Sequence, residues 1–202
     1  LGKEWKTVEV HLKPHCTTRH TQASVEEAAS IDAQHNVSLE DIASIEIRTS
    51  PEMTEALGTK TPVDVIEAQS SIPFATATGL FKGGSRTLKE FVLFEDIKQA
   101  MGNPAVQSLL QRIQMHGDSA FDVQKGNAQV TIRLKGGQIH TKQVDIIRGS
   151  PENPFTLGEG RDRFLAPARC VLPIDQLIEA ADLITRLESV TKIEEVTRLL
   201  HR

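Results

Sequence analysis

The segment AQVTIRLKGGQIHTKQVDIIRG, Ala128 to Gly149, constrains the fold more than any other part of the chain. Two runs of alternating apolar and polar residues flank Gly136-Gly137, the pattern of a β-hairpin closed by a glycine turn. A hairpin alone is marginal in water, so this one needs further strands and a covering layer of helices. Two more segments read as strands. Thr7 to Lys13 alternates, with Val8, Val10 and Leu12 on one side, and is stopped by Pro14. Ser44 to Thr49 places Ile45 and Ile47 inward and ends at Pro51.

The intervening segments have helical periodicity. SVEEAASIDAQHN starts at Ser24, with Glu27 completing a capping box and Val25, Ala28, Ala29 and Ile31 as an apolar stripe. Asp64 to Lys82 carries Pro73, which predicts a break at Ser71 and then a buried helix ended by Gly83-Gly84. The segment from Thr87 to Asp118 predicts two helices separated at Gly102-Asn103, the second opening at Pro104. SPENPFTLGEG is a turn-rich loop. From Arg161 onward the chain reads as purely helical, with Pro173 starting the second helix and Leu177, Ile178, Ala181, Ile184 and Leu187 as its stripe. The expected class is therefore α+β: a small, mostly antiparallel sheet with packed helices, followed by a C-terminal helical segment. The expected division is 1–160 and 161–202. The stripe of the tail either covers the sheet or needs a partner outside this chain.

A chain of 202 residues supports one domain or one and a half. Its 39% hydrophobic and 25% charged content is that of a soluble globular protein. A net charge of −4 argues against nucleic acid as the main partner, because phosphate binding needs a basic surface. No apolar run approaches the roughly 18 residues of a membrane span, and no signal-peptide pattern is present. Cys16 and Cys170 lie far apart, without finger-type spacing, and read as reduced thiols of a cytoplasmic protein. The chain begins at Leu1 rather than Met, which predicts either processing or a piece of a longer protein.

Leu12 to Ala28, LKPHCTTRHTQASVEEA, gathers the candidate chemistry. His11, His15, Cys16 and His20 resemble metal ligands, but Pro14 turns the chain between them and no nearby carboxylate completes a facial triad, so no metal is expected. Cys16 with His15 or His20 has the composition of a thiolate pair, but adjacent side chains rarely face one another and no glycine elbow frames the thiol. Lys13, Thr17, Thr18, Arg19 and His20 are cations or donors just before a helix N-terminus, where free N–H groups favour anions. The residues alone leave open whether this is an anion cradle for a carboxylate or an ordinary polar turn.

This stretch resembles the fKPYPCCRYTHaaIDAAl segment of the MmgE/PrpD family, which includes 2-methylcitrate dehydratase, cis-aconitate decarboxylase and iminodisuccinate epimerase. Four further segments are similar in family order: LEDIASIEIRTSP, EAQSSIPFATATGLFKGG, VTIRLKGGQIHTKQVDIIRGSPENPFT, and the closing DRFLAPARCVLPIDQLIEAADLITRLESVTKIEEVTRLL. The resemblance covers essentially the whole chain and implies only the C-terminal part of the family fold, a small α+β domain with helices that return to a large helical domain. It implies a cofactor-independent lyase (dehydratase or decarboxylase) or isomerase, acting on a small di- or tricarboxylate by proton abstraction next to a carboxylate. Its expected partners are an N-terminal helical domain, or a second chain supplying it, and a further copy in a homodimer or other homo-oligomer, with neither nucleic acid nor membrane.

Residue by residue, the resemblance puts Lys13 on the motif lysine. Arg19 and Thr21 match the motif. Thr18 stands where the decarboxylase has a catalytic-type histidine, and Gln22 where many members have the histidine of YTH. His15 and His20 take aromatic positions. The substrate-binding set it implies is Lys13, Thr18, Arg19 and Gln22, with His15 and His20 as substitute acid/base groups. Ser70, Ser71 and Pro73 match the FSlPY stretch and line the cleft or merely kink a helix. His116, His140 and Trp5 read as surface or packing residues, and Asn153 as a turn residue. The reading from a different class is a non-catalytic subunit that binds a carboxylate or a helical partner.

Overall fold

The computed structural model describes residues 2–82 and 92–201. It comprises two compact units, Leu1–Pro154 and Phe155–Arg202.

In the first unit, α1 (Gln22–His35) leads to β1 (Ile42–Thr49), then α2 (Pro51–Leu57), α3 (Val65–Ser70), α4 (Ile72–Phe81), α5 (Phe94–Met101) and α6 (Pro104–Arg112). The chain returns to the sheet as β2 (Ile113–Gly117) and closes with the hairpin β3 (Ala128–Leu134) and β4 (Ile139–Val144). The strand order is β2-β1-β3-β4. β1 runs parallel to β2 and antiparallel to β3, and β3 runs antiparallel to β4. The sheet is mixed, mostly antiparallel, and the class is α+β.

β1 is the centre of the core because it alternates in the right phase. Ile45 faces Ile113 on one neighbour and Ile132 on the other, and Ile47 faces Val130; all are fully buried. Burying one such side chain stabilises by about 1.5–3 kcal/mol. On the other face, Glu46 pairs with Arg133 at 3.4 Å and Thr131 with Thr141 at 2.9 Å. The hairpin turns at Gly137, whose φ of +87° favours glycine.

The break at Ser71 is real. Its hydroxyl caps α4 by accepting from the Phe74 N–H at 3.0 Å and donates to the Thr59 carbonyl at 2.5 Å. α4 is buried from Ile72 to Leu80. Gly83-Gly84, its expected end, lie outside the described residues. α4 packs on α1 so closely that a Cβ at Gly79 would stand 2.9 Å from Val25 Cγ1.

Several local expectations are corrected. Thr7 to Lys13 is not a strand. Lys6–Glu9 forms a 3-10 turn in which the Lys6 ammonium bridges Glu4 and Glu9, and Val8, Val10 and Leu12 stand 72%, 55% and 55% exposed. No edge of the sheet takes this segment as a neighbour. Ser24 is not a cap, because the chain enters α1 earlier, through a 3-10 turn at Arg19–Thr21. The Ser24 hydroxyl instead donates to the Thr21 carbonyl at 3.0 Å and accepts from Thr76 of α4 at 2.9 Å. Pro51 opens a helix rather than only closing a strand, with Ser50 as its cap. The helix from Pro104 stops at Arg112, and Ile113–Gly117 is a strand. Arg112 fixes that corner by donating to the carbonyls of Leu39 and Ile42 at 3.0 and 2.9 Å.

The second unit holds α7 (Leu157–Ala168), α8 (Ile174–Ile184) and α9 (Glu194–Thr197). α7 starts before Arg161, capped by a Thr156–Glu159 box. Arg161 pairs with Asp182, and Gln176 donates to the Leu199 carbonyl at 2.7 Å. Leu177, Ala180, Ala181 and Val196 are buried, whereas Ile174, Ile178, Ile184, Leu187 and Ile193 remain exposed.

Two outcomes are expected. Gly79→Val overpacks the α1–α4 contact and lowers unfolding free energy by about 1–3 kcal/mol, read by urea denaturation. The isolated chain self-associates or binds an apolar dye through its helical tail, since contiguous exposed apolar surface marks interfaces. A dye-silent monomer by light scattering would contradict this.

Candidate functional site

Residues 12–21 form an irregular strap ahead of α1. The Leu12 N–H donates to the Gly149 carbonyl at 2.8 Å, the Cys16 N–H to Val92 at 2.8 Å, and the Thr18 N–H to Gln69 at 2.9 Å. The Gln69 side-chain amide returns a bond to the Cys16 carbonyl at 2.7 Å and reaches its Sγ at 3.3 Å. A segment without regular structure must satisfy its backbone groups in this way.

The strap closes on Gln22, which is fully buried in the first turn of α1. Its Oε1 accepts from the His15 N–H at 3.0 Å. Its Nε2 donates to Thr17 Oγ1 at 2.8 Å and to the Thr18 carbonyl at 2.9 Å. Thr21 Oγ1 adds a contact of 2.6 Å to Thr17 Oγ1. His15 is buried as well, and its Nδ1 accepts from the Val92 N–H at 3.0 Å. That bond requires an unprotonated Nδ1, so the neutral ring carries its proton on Nε2.

The other candidates lie elsewhere on the strap. Lys13 is exposed. Thr18 Oγ1 is buried without a hydrogen-bond partner, an uncommon state for a hydroxyl. The Arg19 guanidinium is tied to the 118–127 loop: Nη2 donates to the Gln124 carbonyl at 2.5 Å, and Nε reaches His11 Nδ1 at 3.4 Å. His20 is half-buried and bonds the Val123 backbone. Burial, then the neighbouring Arg19 charge, lower its pKa from the ordinary 6.5, against the opposing effect of the Val123 bond. Gly126, at φ +65°, lets the loop approach; a Cβ there would stand 2.9 Å from Ile147 Cδ1 and 3.6 Å from the His20 ring.

Arg19 and His11 also line a cleft of about 430 Å³, together with Gln124, Lys125 and five residues between Asp145 and Glu152. Lys13 and Thr18 do not line it. The structure thus separates the six candidates into an exposed lysine with a buried threonine hydroxyl, an internal clamp of His15 and Gln22, and an Arg19–His20 pair against the 118–127 loop. Among the described residues, no group of three or more His, Cys, Asp or Glu side chains is placed to hold a metal. No described helix is long and apolar enough to cross a membrane. Lys125, which also lines the cleft, sits in a turn outside every motif, and Ser150 and Glu152 lie in a family-like segment whose sequence suggests only a turn.

The family model of the MmgE/PrpD C-terminal domain matches residues 15–188. The chain belongs to the MmgE/PrpD family. This is a family of dehydratase-like enzymes, and the match is to the C-terminal domain. Comparison with curated proteins gives no match. In this MmgE/PrpD chain the match takes in the strap from His15 onward and leaves Lys13 outside it.

A pH dependence follows from His20. Its folded pKa lies below its unfolded value, so the unfolded state takes up the proton first as pH falls. Stability associated with His20 is complete above about pH 6.5 and is lost as pH falls from there through the folded pKa. Glu27 acts in the opposite sense from about pH 4.5 upward, because burial raises its pKa. The difference between parent and His20→Asn therefore isolates the histidine. In denaturant titrations from neutral pH to pH 5, the parent loses stability that the variant keeps.

Proposed function

We propose that this chain is the C-terminal part of an enzyme acting on a small di- or tricarboxylate, through proton abstraction next to a carboxylate. The observation that carries this reading is the strap itself. A segment that resembles the family motif is tied down by the Gln22 clamp, with an exposed Lys13 and an unpartnered Thr18 hydroxyl on it. Lys13 contacts the substrate carboxylate and stabilises the charge that develops on proton removal. A fixed strap supports such chemistry because catalytic groups must be held before the reaction begins.

His20 suits proton transfer better than His15. With its pKa lowered, His20 is neutral near pH 7 and able to accept a proton, whereas His15 Nδ1 is committed to Val92. Gln22 and Arg19 act chiefly by positioning the strap. The reaction is completed by a helical domain, in the same protein or a second chain, which supplies the rest of the acid/base set. Dehydration, decarboxylation and epimerisation all fit one proton-abstraction site.

The isolated chain is expected to show no turnover on citrate-like acids or iminodisuccinate. A rate of roughly 1 s⁻¹ or more from these 202 residues would overturn the two-part reading. In the complete enzyme, Lys13→Ala is expected to weaken carboxylate binding by one to two powers of ten, the loss of one charge-assisted bond of about 1.5–3 kcal/mol. His11→Ala is expected to stay within about 0.5 kcal/mol of the parent. Calorimetry on both variants decides between them; equal losses would reduce the strap to a polar turn and favour a non-catalytic, partner-binding chain.

A further inference from the structure

The cleft beside Arg19 is lined by charges of both signs: Arg19 of the strap and Lys125 of the 118–127 loop, and the carboxylates Asp145 and Glu152. The cations are held in place by bonds from Arg19 Nη2 to the carbonyls of Gln124 and Lys125. The segment that carries the two carboxylates also carries Arg148 and is held by Asn153, whose Oδ1 accepts from Arg148 at 2.7 Å and whose carbonyl accepts from the Gly149 N–H at 2.8 Å. Among the described residues no ion pair joins either cation to either carboxylate, and the hydrogen-bond partners of Arg19 are His11 and two backbone carbonyls. Asp145 accepts from the Gln143 side-chain amide at 2.8 Å.

A second observation is independent of charge. Ser150 lines the same cleft, is 3% exposed, and its Oγ has no hydrogen-bond partner. An unsatisfied buried hydroxyl costs about 1–3 kcal/mol and calls for an occupant. The volume lies within the range of small-molecule sites, and Ile146 and Ile147 give the cleft an apolar surface.

We propose that this cleft binds a free α-amino acid, at a site that shares Arg19 with the strap but not Lys13 or Thr18, and that does not rest on the reaction proposed above. The ligand carboxylate lies toward Arg19, Lys125 and the Ser150 hydroxyl. Its ammonium lies toward Asp145 and Glu152, and an aliphatic side chain rests on the isoleucines. A dipolar ligand joins cations and carboxylates that are unpaired with each other. A simple anion or cation satisfies one set of charges and is repelled by the other.

The test is calorimetric titration of the 202-residue chain with L-valine, N-acetylvaline (anion only) and valinamide (cation only). L-valine is expected to bind saturably with a Kd of about 1 mM or tighter, and each single-charge analogue at least about tenfold more weakly. Ser150→Ala is expected to weaken L-valine severalfold while the melting temperature stays level or rises, since the unpaired hydroxyl is gone. Lys125→Gln and Glu152→Gln, both at exposed positions, test each charge separately and decide the matter if Ser150→Ala fails to fold. Absence of saturable L-valine binding, equal binding of either analogue, or unchanged affinity in both charge variants would overturn the proposal.

Discussion

The Gln22 amide is the interaction on which the rest of the candidate site depends. One side chain satisfies the His15 N–H, the Thr17 hydroxyl and the Thr18 carbonyl together, and it does so from the first turn of a buried helix. Without it, the buried His15 N–H would lose its partner at a cost of about 1–3 kcal/mol, while the Thr17 hydroxyl and the Thr18 carbonyl would keep only their bonds to Thr21. Ahead of its closing 3-10 turn the strap has no sheet ladder or helix to fall back on, so its path past Gln69 and Val92 is set by this clamp and a few backbone bonds. Lys13, Thr18, Arg19 and His20 take their directions from that path. A histidine at this position, as in many family members, offers fewer hydrogen-bonding sites than an amide.

The fold was legible wherever periodicity and turn chemistry agreed. The hairpin around Gly136-Gly137, the break at Ser71 and the helix opening at Pro104 each carry a local signal strong enough to survive packing. Thr7 to Lys13 shows the limit of alternation. Its pattern is that of a strand, but a strand exists only where a neighbour offers a ladder, and this sheet ends at β2 and β4. β2 shows the converse. Leu109, Leu110 and Ile113 read as one continuous helical stripe, because no glycine or proline separates Arg112 from Ile113. Arg112 makes the turn instead, through carbonyls that only the folded chain brings near.

The site was legible in composition but not in arrangement. Six residues between Lys13 and Gln22 were recognisable as polar and motif-like. Their division among an exposed cation, an internal clamp and a cleft wall depends on Gln69, Val92 and the 118–127 loop, all distant in sequence. Ser150 is the clearest omission. A serine after a glycine in a turn carries no signal in sequence, and its significance lies in a partner it does not have.

The corner at Arg112 also bears on the order in which this unit folds. β3 and β4 meet across a four-residue turn, a contact that costs little loop entropy and forms early. β2 docks on β1 only after the whole helical excursion α2–α6 has been gathered in, and the Arg112 bond to Ile42 spans 70 residues of sequence. Until then β1, the strand at the centre of the core, has one open edge. The unpaired backbone groups of such an edge are the surface through which partly folded chains pair with copies of themselves. Arg112 holds the corner at which β2 closes it.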